Sequence, residues 1–104
     1  MKKIRVYRQG DVILREVSPR DYEYYNERFQ EEGKRKDVVI KGETGHSHII
    51  PNVLVLNDRL AVIKVDKPTQ ILHEEHKPVT LGVGIYVIDR VRNWLGARRG
   101  RGVD

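Results

Sequence analysis

The chain of 104 residues contains no cysteine, which excludes disulfide bonds and metal sites built from thiolate ligands. It also contains no apolar run approaching the ~20 residues that a membrane-spanning helix needs. The charged start Met1-Lys2-Lys3-Ile4 is not followed by the apolar region of a secretion signal. Because a cysteine-free chain suits a reducing compartment, we expect a soluble, cytoplasmic protein with no membrane partner.

Basic residues outnumber acidic ones by 20 to 15, which gives a net charge of +5. This excess permits a nucleic-acid partner but does not require one, because solvated basic surfaces are common. The candidate contacts to phosphates lie in a basic C-terminal tail from about residue 93 to residue 104 and are Arg98, Arg99 and Arg101. The alternative is a solvated terminus anchored by Trp94.

The apolar pattern predicts a mainly β fold, with short strands separated by glycine, proline and Asn-Asp turns. Residues 3–17 predict a hairpin or bent strand around Gln9-Gly10-Asp11. A second hairpin is predicted to pair Val53–Leu56 with Leu60–Val65 around the turn Asn57-Asp58. We therefore expect one β-rich domain over the whole chain, built as a small antiparallel β-barrel or sandwich.

One short amphipathic helix is predicted over residues 19–32. Ser18 suits the N-cap, Pro19 the first helical position and Gly33 the stop. Helical spacing predicts an apolar stripe that packs on the sheet, formed by Tyr22, Tyr25 and Phe29.

The middle of the chain predicts further short strands. The basic run Lys34-Arg35-Lys36 is interpreted as a solvated linker before a strand over Asp37–Lys41. A strand from His46 to Ile50 is expected to end at Pro51. Another strand, Thr69–Leu72, delivers His73 at its end.

All four histidines of the chain fall in two short pairs. His46 and His48 are two residues apart, so on a strand both imidazoles leave the same face. His73 and His76 are three apart, which suits a tight turn or one turn of helix. Folding could therefore gather three or four imidazoles around one point.

Such a cluster predicts a site for a divalent transition metal: zinc, iron, nickel or manganese. The predicted ligands are His46, His48, His73 and His76, and Glu74 or Glu75 could complete the shell or act as a general base. The structural alternative is a pair of polar loop caps in which each ring bonds to nearby backbone.

The motifs can also be taken together. In order they are Gln9-Gly10-Asp11-Val12, the segment from Gly42 to His48, and the segment from His73 to Pro78, followed by Leu81, Gly84, Tyr86 and Val87. This order resembles a family of small uncharacterised bacterial, archaeal and phage proteins over nearly the whole length. The resemblance implies a family but no activity.

The chain departs from the pattern of this family near its C-terminus. The segment Asp89–Trp94 replaces the family's usual Gln-Arg-Glu-Tyr-like strand end, whereas Val103-Asp104 matches its terminus.

A more distant resemblance is to cupins, which place a His-X-His and a later histidine around a metal. The glycine and glutamate spacing of cupins is not reproduced, so this likeness concerns the fold and not the function.

Three functions remain open from the sequence. The first is a metal-binding protein, acting as a metal-dependent hydrolase if one coordination position stays open. The second is a metal-independent nuclease or RNA-binding protein that uses histidines as acid and base. The third is a non-enzymatic binding or assembly protein, in which strand edges join copies of the chain or the tail contacts a partner. The first two take a small-molecule or nucleic-acid partner.

Overall fold

The computed structural model describes residues 4–42, 45–56 and 61–91, which fold into antiparallel β-structure with one helix. The strands are β1 (Val6–Gln9), β2 (Val12–Glu16), β3 (Lys34–Lys41), β4 (Ser47–Val55), β5 (Val62–Val65), β6 (Thr69–Ile71), β7 (Val79–Leu81) and β8 (Gly84–Arg90). The helix α1 (Pro19–Glu32) lies between β2 and β3. The predicted mainly β fold with a helix over residues 19–32 is therefore confirmed.

The strands within the described ranges form two sheets. One has six strands in the order β1-β2-β8-β5-β4-β3, and the other pairs β6 with β7. A bridge between Ile49 and Leu72 joins the sheets through two backbone hydrogen bonds of 2.8 Å. Neither sheet closes on itself in this part of the chain, so the finer prediction of a barrel or sandwich stays a prediction.

Both predicted hairpin pairings are present. β1 and β2 pair with Gln9 opposite Val12, and Gly10 turns the chain at a φ of 58° that glycine adopts without strain. β4 and β5 pair through Leu54 and Lys64. The predicted turn residues Asn57 and Asp58 lie outside the described residues.

The helix begins as its sequence predicts. Ser18 caps it by accepting a hydrogen bond from the Asp21 backbone N–H, and Pro19 occupies the first turn. The predicted apolar stripe is only partly buried: Phe29 is 4% exposed, whereas Tyr22 is 39% exposed. The helix is therefore held mainly by Phe29, with Tyr25 packed partly buried against the same core cluster.

Two strand boundaries differ from the sequence interpretation. The run Lys34–Lys36 is not a linker but the first part of β3, where it pairs with the end of β4. β4 also continues through Pro51 instead of ending there. A register shift between Lys36 and Val38 and a positive φ of 60° at Asn52 absorb an extra residue. This irregularity lets Ile50 and Val53 both point into the core although they are three residues apart.

The core has two parts on opposite sides of the sheet. The larger part is covered by β6 and β7 and consists of Val12, Leu14, Ile50, Val53, Ile63, Val65, Ile71, Leu81 and Tyr86. The smaller part lies under α1 and consists of Phe29, Leu56, Val62 and Ile85. The six-stranded sheet thus contributes residues to both parts of the core. The candidate site described below lies at one end of the side that β6 and β7 cover.

We predict that Phe29→Ala lowers the free energy of unfolding by roughly 3–5 kcal/mol, because it removes the residue that anchors α1 and leaves a cavity. Gln30→Ala, at an exposed position on the same helix, should change it by less than about 0.5 kcal/mol. Urea denaturation of the two variants checks this. Equal losses would show that the helix contributes no core.

Candidate histidine site

The structure brings all four imidazoles into one cluster. His48 lies on β4, His46 directly precedes that strand, and His73 and His76 lie in the loop between β6 and β7. The ring centroids of His73 lie 4.4 Å from His48, 4.5 Å from His76 and 5.9 Å from His46. The loop between β6 and β7 bends at residues 74–76 and has no helical turn, so the helical alternative for the second pair is not found.

Gln9 holds the innermost imidazole. His48 is 1% exposed, and its Nδ1 lies 2.8 Å from Oε1 of Gln9. The Gln9 Nε2 donates to the backbone carbonyls of Ile71 at 2.9 Å and Lys77 at 2.8 Å. A flipped amide would face two carbonyl oxygens with its own oxygen, so Oε1 must be the acceptor and Nδ1 of His48 must carry the proton.

The other ring nitrogen of His48 faces a carboxylate. Its Nε2 lies 3.1 Å from Oδ1 of Asp11, and Oδ2 of Asp11 accepts from Arg90 at 2.8 Å. Arg90 also donates to the backbone carbonyl of Lys41, which ties the end of β8 to the end of β3. Burial lowers the pKa of His48, although the nearby Asp11 carboxylate opposes that shift.

Two glycines make room around His48. A Cβ at Gly10 would lie 2.7 Å from His76 Nε2 and 3.3 Å from His48 Cε1. A Cβ at Gly42 would lie 3.4 Å from His48 Nε2 and would clash with the His46 carbonyl at 2.5 Å. The rings of His48 and His76 can therefore lie against the turn because Gly10 lacks a side chain, whereas Gly42 makes room for the His46 carbonyl.

His46 forms a separate, more exposed group with the two acids. Its Nδ1 lies 2.7 Å from Glu74 Oε1 and its Nε2 lies 3.3 Å from Glu75 Oε2. Both nitrogens can donate at once only in the imidazolium form. The Glu75 backbone N–H donates to His73 Nδ1 at 3.0 Å, so that nitrogen is an acceptor in this conformation.

The ring nitrogens do not converge on one point. Within residues 4–42, 45–56 and 61–91, no group of three or more histidine, aspartate or glutamate side chains is arranged to hold a metal ion. Instead, His48 Nε2 faces Asp11, while His46 bonds to Glu74 and Glu75. The four predicted ligands therefore lie in one cluster, and their binding of a metal ion stays a prediction.

The sequence patterns do not predict three residues of this site: Gln9, Asp11 and Arg90. The sequence marks Gln9-Gly10-Asp11 as a turn and as part of the family motif but predicts no role for it in a site. A glutamine that ends an apolar strand and an aspartate just after glycine are nevertheless both polar groups next to a core. No sequence pattern distinguishes Arg90 from the other arginines near the C-terminus. Arg98, Arg99 and Arg101, the predicted nucleic-acid contacts, lie outside the described residues.

Comparison with known proteins adds a family and no activity. Residues 8–91 match the model of a protein family described as a domain of unknown function, DUF8820, and this range includes every residue of the histidine cluster. No curated protein and no solved structure matches the chain, so the cupin resemblance stays a prediction. In the described part of the chain, no helix has the length and apolar character needed to cross a membrane.

We predict that Gln9→Leu moves the proton of His48 from Nδ1 to Nε2, because Asp11 becomes the remaining acceptor. The same change leaves two backbone carbonyls without a donor, at a cost of roughly 1–3 kcal/mol each. Long-range ¹H–¹⁵N spectra of the imidazoles report the tautomer. Gln70→Leu, at an exposed glutamine on β6, is the control and should leave it unchanged. A wild-type His48 protonated on Nε2 alone would contradict the assignment.

Proposed function

We propose that this chain, which belongs to the DUF8820 family, binds one divalent transition metal ion at the histidine cluster. The first two ligands are His48 and Asp11. The observation that carries the proposal is the 3.1 Å separation of His48 Nε2 and Asp11 Oδ1. Two ligand atoms bound to one ion at about 2.0–2.1 Å lie roughly 2.8–3.4 Å apart at angles between octahedral and tetrahedral. The pair already has the spacing that a shared ion requires.

The partners of these two groups support a metal as well. Metal-bound histidines usually donate their second ring N–H to a fixed acceptor, and metal-bound carboxylates are themselves hydrogen-bonded. His48 donates from Nδ1 to Gln9, and Asp11 accepts from Arg90 with the oxygen that does not face His48. With the proton on Nδ1, a neutral His48 directs the lone pair of Nε2 at a carboxylate oxygen. The lone pair and the carboxylate repel each other, whereas a cation placed between these two atoms would attract both.

His76 is the best candidate for a third ligand. Its Nε2 packs against Gly10, on the turn that also carries Asp11, and its ring is stacked parallel to His48 at 6.1 Å. His73 lies between them but accepts a backbone hydrogen bond at Nδ1, so this nitrogen could bind the ion only after the loop of His73 shifts. His46 is held by Glu74 and Glu75 and is the least suited of the four.

A site with three protein ligands and one open position would be catalytic. A bound ion lowers the pKa of a coordinated water and makes it a nucleophile near neutral pH. Glu74 and Glu75, both exposed beside the cluster, could take the proton from that water. The proposed activity is therefore a metal-dependent hydrolysis at the rim of the cluster.

We expect the wild-type protein to bind one equivalent of Zn²⁺ or Co²⁺ in competition with a chromophoric chelator. His48→Ala and Asp11→Asn should each weaken binding by more than about tenfold because each removes a ligand. His46→Ala is the matched control and should stay within about threefold of wild type. Absence of binding by the wild type, or equal binding by all variants, would remove the proposal.

A second function is favoured by the contacts of His46. This ring is 38% exposed and sits between two carboxylates, as an imidazole that exchanges protons with a substrate would. With exposed His76 as its partner, it could supply the acid and base for metal-independent cleavage of RNA. The exposed Lys41 and Lys77 next to the cluster could contact phosphates.

Cleavage of a fluorescent RNA in excess EDTA separates the two functions. The second one requires activity that persists in chelator and falls by at least about a hundredfold in His46→Gln, because general acid–base catalysis contributes on that scale. Gln70→Leu serves as the control. If the wild type does not cleave RNA in EDTA, the metal-independent function is wrong.

A further inference from the structure

A shallow cleft opens beside the histidine cluster on the outer face of β4. It has a volume of about 460 Å³, within the range of small-molecule sites. The lining residues that matter here are His46, Ser47, Ile49, Leu72, His73 and Glu74. Two of these histidines belong to the cluster, so a molecule held in the cleft would lie beside it.

The floor of the cleft is apolar and well fixed. Ile49 and Leu72 form the bridge between the two sheets and exchange both backbone hydrogen bonds, so their side chains stand side by side on one face. Ile49 is 39% exposed and Leu72 is 38% exposed, although the backbone of both is tied down. A rigid apolar pair open to solvent gains free energy when an apolar group covers it.

The rim of the cleft is polar and carries negative charge. Ser47, two residues from Ile49, shares its face of β4, and His46 and His73 close one side. Among the described residues that line the cleft, Glu74 is the only acid and there is no lysine or arginine. A phosphate or carboxylate would meet repulsion here, whereas an ammonium group would meet an acceptor.

We propose that this cleft binds a small organic amine, with its apolar body on Ile49 and Leu72 and its cationic group at Glu74. The proposal deepens the proposed function by naming the substrate class of the same site, and the reactive part of such a molecule would face His73. The proposal disfavours RNA as the occupant, because no lysine or arginine lines the cleft to bind a phosphate. Binding itself depends only on the apolar floor and the carboxylate, and not on a metal.

The test uses two probes of nearly equal shape and opposite charge, 2-phenylethylamine and 3-phenylpropionate. Each is titrated into the full chain in buffer with excess EDTA, while methyl NMR resonances of Ile49 and Leu72 are followed. We expect saturable shifts with the amine and at least fivefold weaker binding of the carboxylate. Because EDTA is present, a failure of metal binding leaves this result unaffected, and the two proposals can fail separately.

Variants locate the site. Glu74→Gln should abolish the preference for the amine, while Glu75→Gln should keep it, because Glu75 also bonds His46 but does not line the cleft. Ile49→Thr should weaken the amine at least threefold, and Val6→Thr, at an exposed position on the distant strand β1, should not. Equal binding of both probes, or amine binding unchanged in Glu74→Gln and Ile49→Thr, would overturn the proposal.

Discussion

The hydrogen bond between His48 and Gln9 is the contact on which the rest of the candidate site depends. One glutamine side chain, 3% exposed, bonds to groups on three separate segments: β4, the end of β6, and the loop after His76. A buried polar group without a partner costs more than a formed hydrogen bond contributes, so these segments must meet in one arrangement or lose all three bonds together. That requirement fixes His48 at the bottom of the cluster. It also fixes both ends of the loop that carries His73 and His76.

The cluster has a buried half and an exposed half with different chemistry. In the buried half, His48, Asp11 and Arg90 form a chain of charged and polar contacts within the protein. In the exposed half, His46 and the two glutamates contact solvent, where such pairs are weak and rearrange easily. His73 lies between the halves. The buried half can hold an ion with little change, whereas the exposed half can exchange protons or accommodate a bound molecule, and the two proposed functions differ in which half acts.

Local patterns predicted the parts of this structure that local physics controls. Ser18 and Pro19 start the helix, and Gly10 turns the first hairpin, because capping and backbone freedom act over a few residues. The continuous β4 was not predicted, since Pro51 is normally a strand breaker and the positive φ at Asn52 depends on pairing with β3. The gathering of the histidines was predicted from their clustering in the sequence. The hydrogen bonds of Gln9 and Asp11 were not, because partners 39 and 37 residues away in the chain leave no local pattern.

The position of β3 at the end of the six-stranded sheet, in the described part of the chain, has a consequence for how the molecule behaves among its own copies. An outermost strand exposes unpaired backbone groups that another chain could extend into a larger sheet. The edge strand β3 carries Lys34, Lys36 and Lys41, and the register shift opposite Asn52 interrupts its regular pairing geometry. Two such edge strands brought together would repel each other and match poorly in shape. The same basic run that looked like a connecting segment in the sequence thus works against aggregation.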